Sequence, residues 1–202
     1  MDAAILAGGR ARRFGGRDKS ALPVGPTSIL DRQLAALAGL ADRVFIVAGT
    51  AKPFRNARVP VIRDRLPNAG ALGGLYTALV SARSDHVLIL ACDLPFVTAS
   101  LLARLSALAS AGWDAVVPRP RDGLQPLCAV YARHLAPLVR ARVDAGHLKV
   151  ADLLVGVRHL EVGPEELATF DPDGRLFFNV NTPDDLDRAV RLAGRAEGAP
   201  GR

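Results

Sequence analysis

The 202-residue sequence predicts an α/β fold, a mostly parallel sheet with helices on both faces. Three observations carry that expectation. Short apolar runs alternate with helix-spaced apolar residues along most of the chain, as in βαβ units. Several of those runs end directly in glycine or aspartate. No internal repeat, low-complexity tract or linker divides the chain, and a domain of this length buries about 70% of its unfolded surface. With 50% hydrophobic and 23% charged residues the chain is not disordered; with aromatics at 5%, its core must be built from Ala, Leu and Val.

Ala3–Ala7 reads as a short buried strand, and the glycines after it as a loop. Ser28 and Asp31 form an S-x-x-D capping signal for a helix with Ile29, Leu30, Leu34 and Leu37 on one face. Arg43–Ala48 is the second strand and Val59–Arg63 the third, ending at Asp64. After a Gly70–Gly74 turn, Leu75, Leu79 and Val80 have helical spacing. His86–Ala91 is the most apolar strand, ending at Cys92-Asp93 and stopped by Pro95. Ala99–Ala111 is a helix with Leu101, Leu102, Leu105 and Leu108 inward. Ala115–Val117 and Leu127–Tyr131 read as strands, His134–Ala145 as a helix and Phe177–Val180 as a late strand. Thr182 and Pro183 start a last helix running from about Asp184 to Ala193. Residues 1–193 then form one domain, and Gly194–Arg202 a flexible tail.

Composition excludes several classes of function. No apolar run approaches the roughly 18–20 residues needed to span a bilayer. Ala3–Ala7 lacks a basic flank and runs at once into glycines, unlike a secretion signal. Cys92 and Cys128 lie far apart without a C-x-x-C pair, and the histidines show no ligand spacing. A disulfide scaffold and a structural zinc site are thereby excluded, and a cytoplasmic setting fits. The net charge is +6, with 26 basic residues, but the arginines spread along the chain rather than forming a nucleic-acid arm. One cluster stands out: Arg10, Arg12, Arg13, Arg17 and Lys19 fall among Gly8, Gly9, Gly15 and Gly16. An anionic small ligand is the expected partner, with neither nucleic acid nor membrane.

In a parallel α/β sheet, ligands sit at the carboxyl ends of the strands where the strand order reverses. The loops after the first, third and fourth strands are therefore the candidates. In the first, Leu6 to Lys19, paired glycines let backbone N–H groups approach a ligand while arginines and a lysine add charge, as a polyphosphate cradle requires. A solvated basic turn has the same composition, but the use of a lysine in an arginine-biased chain favours the cradle. The pattern is neither G-x-G-x-x-G nor a Walker A loop. Asp93, leaving the most apolar strand, is placed either to hold Mg²⁺ beside phosphates or to cap the turn before Pro95. Asp64 ends another strand, where Arg63 and Arg65 offer it ordinary ion pairs. Strand alternation would put Asn179 and Asn181 on one face, presenting uncharged donors and acceptors. Gly70–Gly74, with Gly73, either shapes a pocket or makes a tight helix entry.

Together these segments resemble the molybdopterin nucleotidyltransferase family, and within it the MobA-type molybdenum cofactor guanylyltransferases. The resemblance rests on L-A-G-G-x-x-x-R-F-G-G-x-D-K at Leu6–Lys19, V-I-R-D-R at Val61–Arg65, G-A-L-G-G at Gly70–Gly74, A-C-D-L-P-F at Ala91–Phe96 and F-N-V-N-T-P at Phe178–Pro183. It implies a single-domain, Rossmann-like, nucleotidyltransferase-type fold. It further implies transfer of GMP from GTP to the terminal phosphate of molybdopterin, with Mg²⁺ as cofactor and pyrophosphate as leaving group. The residues it assigns to nucleotide are Leu6, Ala7, Gly8, Gly9, Lys19, Asp64, Gly73 and Asp93. Arg13, Lys19 and Asp93 would be catalytic, Asp93 the metal ligand, and Asn179 and Asn181 the pterin side. Transient contact with cofactor-synthesis or molybdoenzyme proteins goes with such a role. Leu-Ala-Gly-Gly points away from cytidylyltransferase relatives, which usually carry Leu-Ala-Ala-Gly. The family's asparagine after the second strand is absent from Val47-Ala48-Gly49-Thr50, leaving one ribose or base contact unassigned. A cytidylyltransferase on the same cofactor, a sugar-phosphate nucleotidyltransferase and a non-catalytic nucleotide-binding paralogue are the alternatives.

Overall fold

In a computed structural model the chain is described over residues 1–7, 19–49 and 58–197. Among these residues seven strands form one sheet in the order β5-β4-β1-β6-β8-β7-β9. They are β1 (Asp2–Ala7), β4 (Arg43–Ala48), β5 (Val61–Arg63), β6 (His86–Ala91), β7 (Ala115–Pro118), β8 (Cys128–Ala132) and β9 (His159–Val162). The pairs β1·β4, β1·β6, β4·β5 and β7·β9 are parallel; β8 alone runs against its neighbours β6 and β7. A two-stranded hairpin, β2 (Pro23–Val24) and β3 (Thr27–Ser28), stands apart from the sheet.

Side chains of β1 alternate between two cores, as the period of two requires. Ala4 and Leu6, with Phe45, Val47, Val87 and Ile89, face α2 (Gly70–Ser81) and α4 (Ala136–Asp144). Ala3 and Ile5, with Ile46, Leu88 and Leu90, face α1 (Ile29–Leu37), α3 (Ala99–Ala109) and α5 (Pro164–Ala168). Leu101, Leu102 and Leu105 of α3 are fully buried, each contributing roughly 1.5–3 kcal/mol of transfer free energy. A third, smaller cluster joins Leu22, Val24, Ile29, Phe96 and Val180 to Ala189 and Ala193 of α6 (Pro183–Glu197).

The capping signal forms as expected: Ser28 Oγ accepts from Asp31 N–H at 3.1 Å. The buried face of α1 is Ile29, Gln33, Ala36 and Leu37, whereas Leu30 and Leu34 are half-buried. Other expectations are corrected. Gly70–Gly74 is not a turn before a helix; it is the first turn of α2. The predicted His134–Ala145 helix opens as a 3-10 turn over Arg133–Leu135, and the regular helix starts at Ala136 with Pro137 at its entry. Phe177–Val180 forms no strand. Its alternation arises because Leu176 and Phe177 pack into one core while Phe178 and Val180 pack into another. Helix α6 runs to Glu197, past the expected end at Ala193. β9 and α5 were not anticipated.

Gly73 shows why α2 opens with glycines. A Cβ there would lie 2.6 Å from the Leu66 carbonyl oxygen and 2.9 Å from Ala69 Cβ. Gly73→Ala must therefore shift backbone, an overpacking cost of about 1–3 kcal/mol. A thermal melt is expected to fall by several degrees, at about 2–4 °C per kcal/mol for a domain of this size. An unchanged melting temperature would show that the turn at Leu66–Ala69 yields freely.

Candidate active site

The strand order places β1 at the reversal point. From β1 the chain moves outward to β4 and β5, then returns to β6 on the other side of β1. A crevice at the carboxyl ends of these strands follows from that topology. Leu6 and Ala7 end β1 there, in register with Val47 and Ala48 of β4. The Leu6 carbonyl accepts from Cys92 N–H at 3.2 Å, so the β1·β6 ladder continues to the residue before Asp93. Gly8, Gly9 and Arg13 lie outside the described residues, as does the Lys19 side chain. The Lys19 backbone opens the 3-10 turn Lys19–Ala21. That turn leads into Leu22, whose carbonyl accepts from Ile29 N–H at 3.1 Å.

Asp93 is held by its surroundings on both sides. Leu94, Phe96 and Val97 after it are buried. Its carbonyl accepts from Val180 N–H at 2.9 Å. That bond brings the segment carrying Asn179 and Asn181 against Asp93, a juxtaposition the sequence did not disclose. Gln33 of α1, fully buried, donates from Nε2 to the carbonyls of Ala91 at 2.7 Å and Leu94 at 3.1 Å. No local signal marked Gln33, because its partners lie about sixty residues away in sequence.

Asp64 follows β5, with its N–H donating to the Ala48 carbonyl at 2.8 Å. Its Oδ1 accepts from Leu66 N–H at 3.0 Å and from the Thr77 hydroxyl at 2.8 Å. Thr77, buried on α2, in turn accepts from Arg65 N–H at 2.9 Å. Asp64 thus fastens the β5–α2 turn rather than pairing with Arg63 or Arg65. Three strand spacings separate it from Asp93, roughly 14 Å. The two carboxylates cannot share one cation directly. Gly73 is accounted for by its packing on Leu66 and Ala69, and Gly74 lies against the Leu6 side chain.

Asn179 and Asn181 are exposed. Asn179 Nδ2 donates to the Phe177 carbonyl at 3.0 Å, which fixes its side chain within its own turn. Asp185 Oδ2 accepts from Asn181 N–H at 3.0 Å and Thr182 N–H at 2.8 Å, while Thr182 Oγ1 accepts from Asp185 N–H at 3.2 Å. This reciprocal cap fixes where α6 begins. The Asn181 N–H, with the Thr182 hydroxyl next in weight, holds the Asp185 carboxyl below its ordinary value. A depressed folded-state pKa stabilises the protein above the unfolded value near 3.8 and loses that contribution as pH falls through the folded one. Asp185→Asn is expected to lower the melting temperature at pH 7, with the deficit closing at more acidic pH. A deficit that does not vary with pH would assign the loss to packing. Nearby, the Arg175 guanidinium lies 5.6 Å over the Phe96 ring and that of Arg188 5.3 Å over Phe178. Two cations therefore stand beside the Asp93 and Asn179 segments.

Among the described residues no cluster of three His, Cys, Asp or Glu side chains could hold a metal ion. One carboxylate at a strand end nevertheless suits Mg²⁺, which keeps several waters and binds through one or two carboxylates plus substrate phosphates. Asp93 fits that demand. A cleft of about 540 Å³ opens instead at the opposite end of the strands, where β6 and β7 begin, beside His86, Trp113, Asp114 and His134. Its polar groups are paired with one another and with main chain: His134 Nε2 lies 3.1 Å from Asp114 Oδ1, and His86 Nε2 lies 3.1 Å from the Trp113 carbonyl. Chemistry at the strand carboxyl ends does not reach it. Neither cysteine is in a disulfide, and burial pushes the Cys128 thiol up to about 12, which makes it inert as a nucleophile.

The MobA-like NTP transferase domain family matches residues 3–160. A probable molybdenum cofactor guanylyltransferase of Chloroflexus aggregans is 38% identical, over 92% of this chain and 91% of its own length. A molybdenum cofactor guanylyltransferase of Desulfosudis oleivorans is 30% identical, over 92% of each chain. The crystal structure of molybdopterin-guanine dinucleotide biosynthesis protein A from Archaeoglobus fulgidus superposes with a TM-score of 0.81 at 27% identity, covering 96% of this chain and all of that one. The fold is shared more widely, as with 2-C-methyl-D-erythritol 4-phosphate cytidylyltransferase from Thermus thermophilus, at a TM-score of 0.71 and 20% identity. With a mostly parallel sheet and the family match over most of its length, the chain belongs to the MobA-like NTP transferase family and is a nucleotidyltransferase.

Proposed function

We propose that this protein transfers GMP from GTP to the terminal phosphate of molybdopterin or the molybdenum cofactor, as a cytoplasmic enzyme. An acceptor phosphate oxygen forms a bond to the α-phosphorus, the bond from that phosphorus to the β-phosphate bridge breaks, and pyrophosphate leaves. The observation that carries the reading is Asp93 at the reversal point of the sheet, with Asn179 and Asn181 tied to it through Val180 N–H. The names of relatives sharing 30% and 38% identity, molybdenum cofactor guanylyltransferases, support a guanylyl donor and a molybdenum-cofactor acceptor.

Attack of one phosphate on another is opposed by charge, so positioning and neutralisation do most of the work. Asp93 would hold Mg²⁺, which when bound offsets negative charge on the triphosphate. Lys19 and Arg13 would add positive charge, and the N–H groups of Gly8 and Gly9 would add donors to the same phosphates. Leu6, Ala7, Asp64 and the α2 entry at Gly73 would frame the nucleotide, and Asn181, with the Asn179 side-chain oxygen, would present uncharged groups to the pterin. The acceptor phosphate is ionised near neutral pH, since its second pKa is about 6. No strong general base is needed.

The test is pyrophosphate release with Mg²⁺ and molybdopterin, comparing GTP with CTP, ATP and UTP. Release dependent on GTP and acceptor together is the expected result. Preference for CTP would reassign the base, and silence with every nucleotide would overturn the transferase reading with this acceptor.

A further inference from the structure

We infer that Gln33 is a positioning residue for the Asp93 turn, coupling the lysine-bearing segment to the metal-binding carboxylate; the inference rests on the nucleotidyl-transfer reading above. Gln33 sits on the buried face of α1, fully enclosed. Its two amide hydrogens go to the carbonyls of Ala91 and Leu94, which bracket Cys92-Asp93. Ala91 is the last residue of β6, so the pair of bonds fixes where the chain leaves the sheet and how it turns. Meanwhile the Gln33 Oε1 is buried with no hydrogen-bond partner among the described residues. A half-satisfied amide in a core is costly; a leucine or methionine would remove the unpaired oxygen, but it would also take the donors from the Ala91 and Leu94 carbonyls. The side chain is therefore best explained by what its amide hydrogens hold.

The other end of α1 supplies the coupling. Ser28 caps it, Ile29 N–H donates to the Leu22 carbonyl, and Arg32 Nε donates to the Val24 carbonyl at 2.9 Å. Leu22 and Val24 follow directly on the Lys19–Ala21 turn. One short helix thus grips the main chain after Lys19 with its first turn and the main chain around Asp93 with Gln33. Loss of the Gln33 contacts would release the Asp93 turn from the main chain that carries Lys19, and misplacement by about 1 Å is enough to cost roughly 10²-fold in rate.

Gln33→Met keeps the volume and removes both donors. Three readouts are taken on the purified protein. Hydrogen–deuterium exchange of a peptide spanning Ala91–Phe96 is expected to speed up at least about tenfold, with α3 unchanged. Mn²⁺ affinity of the complex with a non-hydrolysable GTP analogue, followed by electron paramagnetic resonance, is expected to weaken roughly tenfold, and kcat to fall about 10–100-fold with KM for GTP nearly constant. Gln33→Asn, one methylene shorter but still an amide donor, is expected to lie between and serves if the methionine variant does not fold. Unchanged exchange at Ala91–Phe96, or faster exchange with unaltered Mn²⁺ affinity and kcat, would overturn the inference. Failure of the transfer reading looks different: the wild-type protein itself would release no pyrophosphate, while the exchange result would still report whether Gln33 holds the turn.

Discussion

Replacing Asp93 with asparagine is expected to lower kcat about 10³-fold while leaving the fold intact. Asparagine matches the carboxylate in shape, so the main-chain bond from Val180 and the two Gln33 contacts at Ala91 and Leu94 need not change. What is lost is the negative charge that would hold Mg²⁺ against the triphosphate. A factor of 10³ corresponds to about 4 kcal/mol of transition-state stabilisation, within the range for removing one electrostatic element from an active site. Circular dichroism and a thermal melt close to wild type, with near-background pyrophosphate release, would meet the expectation. Turnover within a few-fold of wild type would remove Asp93 as the metal anchor.

Lys19→Ala is expected to lower kcat/KM for GTP by roughly 10–100-fold, the size expected for a lost charge-assisted hydrogen bond to phosphate. The lysine leaves the chain from a 3-10 turn that continues into buried Ser20 and Leu22, so its backbone origin is fixed. An ammonium on such an origin supplies a compact charge that a neighbouring arginine cannot reproduce in geometry. Both nucleotide affinity, by calorimetry, and kcat should fall. An effect on neither would break the polyphosphate-cradle account of the Leu6–Lys19 segment.

Sequence pattern disclosed those parts of the fold governed by local chemistry. β6 starts and stops where its apolar run does, at His86 and Ala91. The Ser28 cap and the Thr182-Pro183 helix start are where side-chain chemistry places them. Long-range pairing was not legible. β8 reverses direction in the sheet, and β9 is a four-residue edge strand that owes its existence to pairing with β7. Phe177–Val180 misled because two different cores take successive side chains, which imitates the alternation of a strand.

The same division holds for the site. Asp64 and Asp93 could be singled out because each ends an apolar run, and their placement at the carboxyl ends of the strands follows from topology. Asp64's partner is Thr77, not the adjacent arginines, since the β5–α2 turn folds the helix back over it. Gln33 carried no signal at all: a polar residue on a helix is normally read as solvent-facing, and its partners lie on another element. The tie between Asp93 and Val180 is equally non-local.

The most direct measurement is the mass of the pterin product after incubation of molybdopterin, Mg²⁺ and an equimolar mixture of GTP and CTP with the protein. The account predicts a product heavier than the acceptor by one GMP residue, formed with stoichiometric pyrophosphate. A CMP adduct, or an unmodified acceptor beside intact GTP, would contradict it.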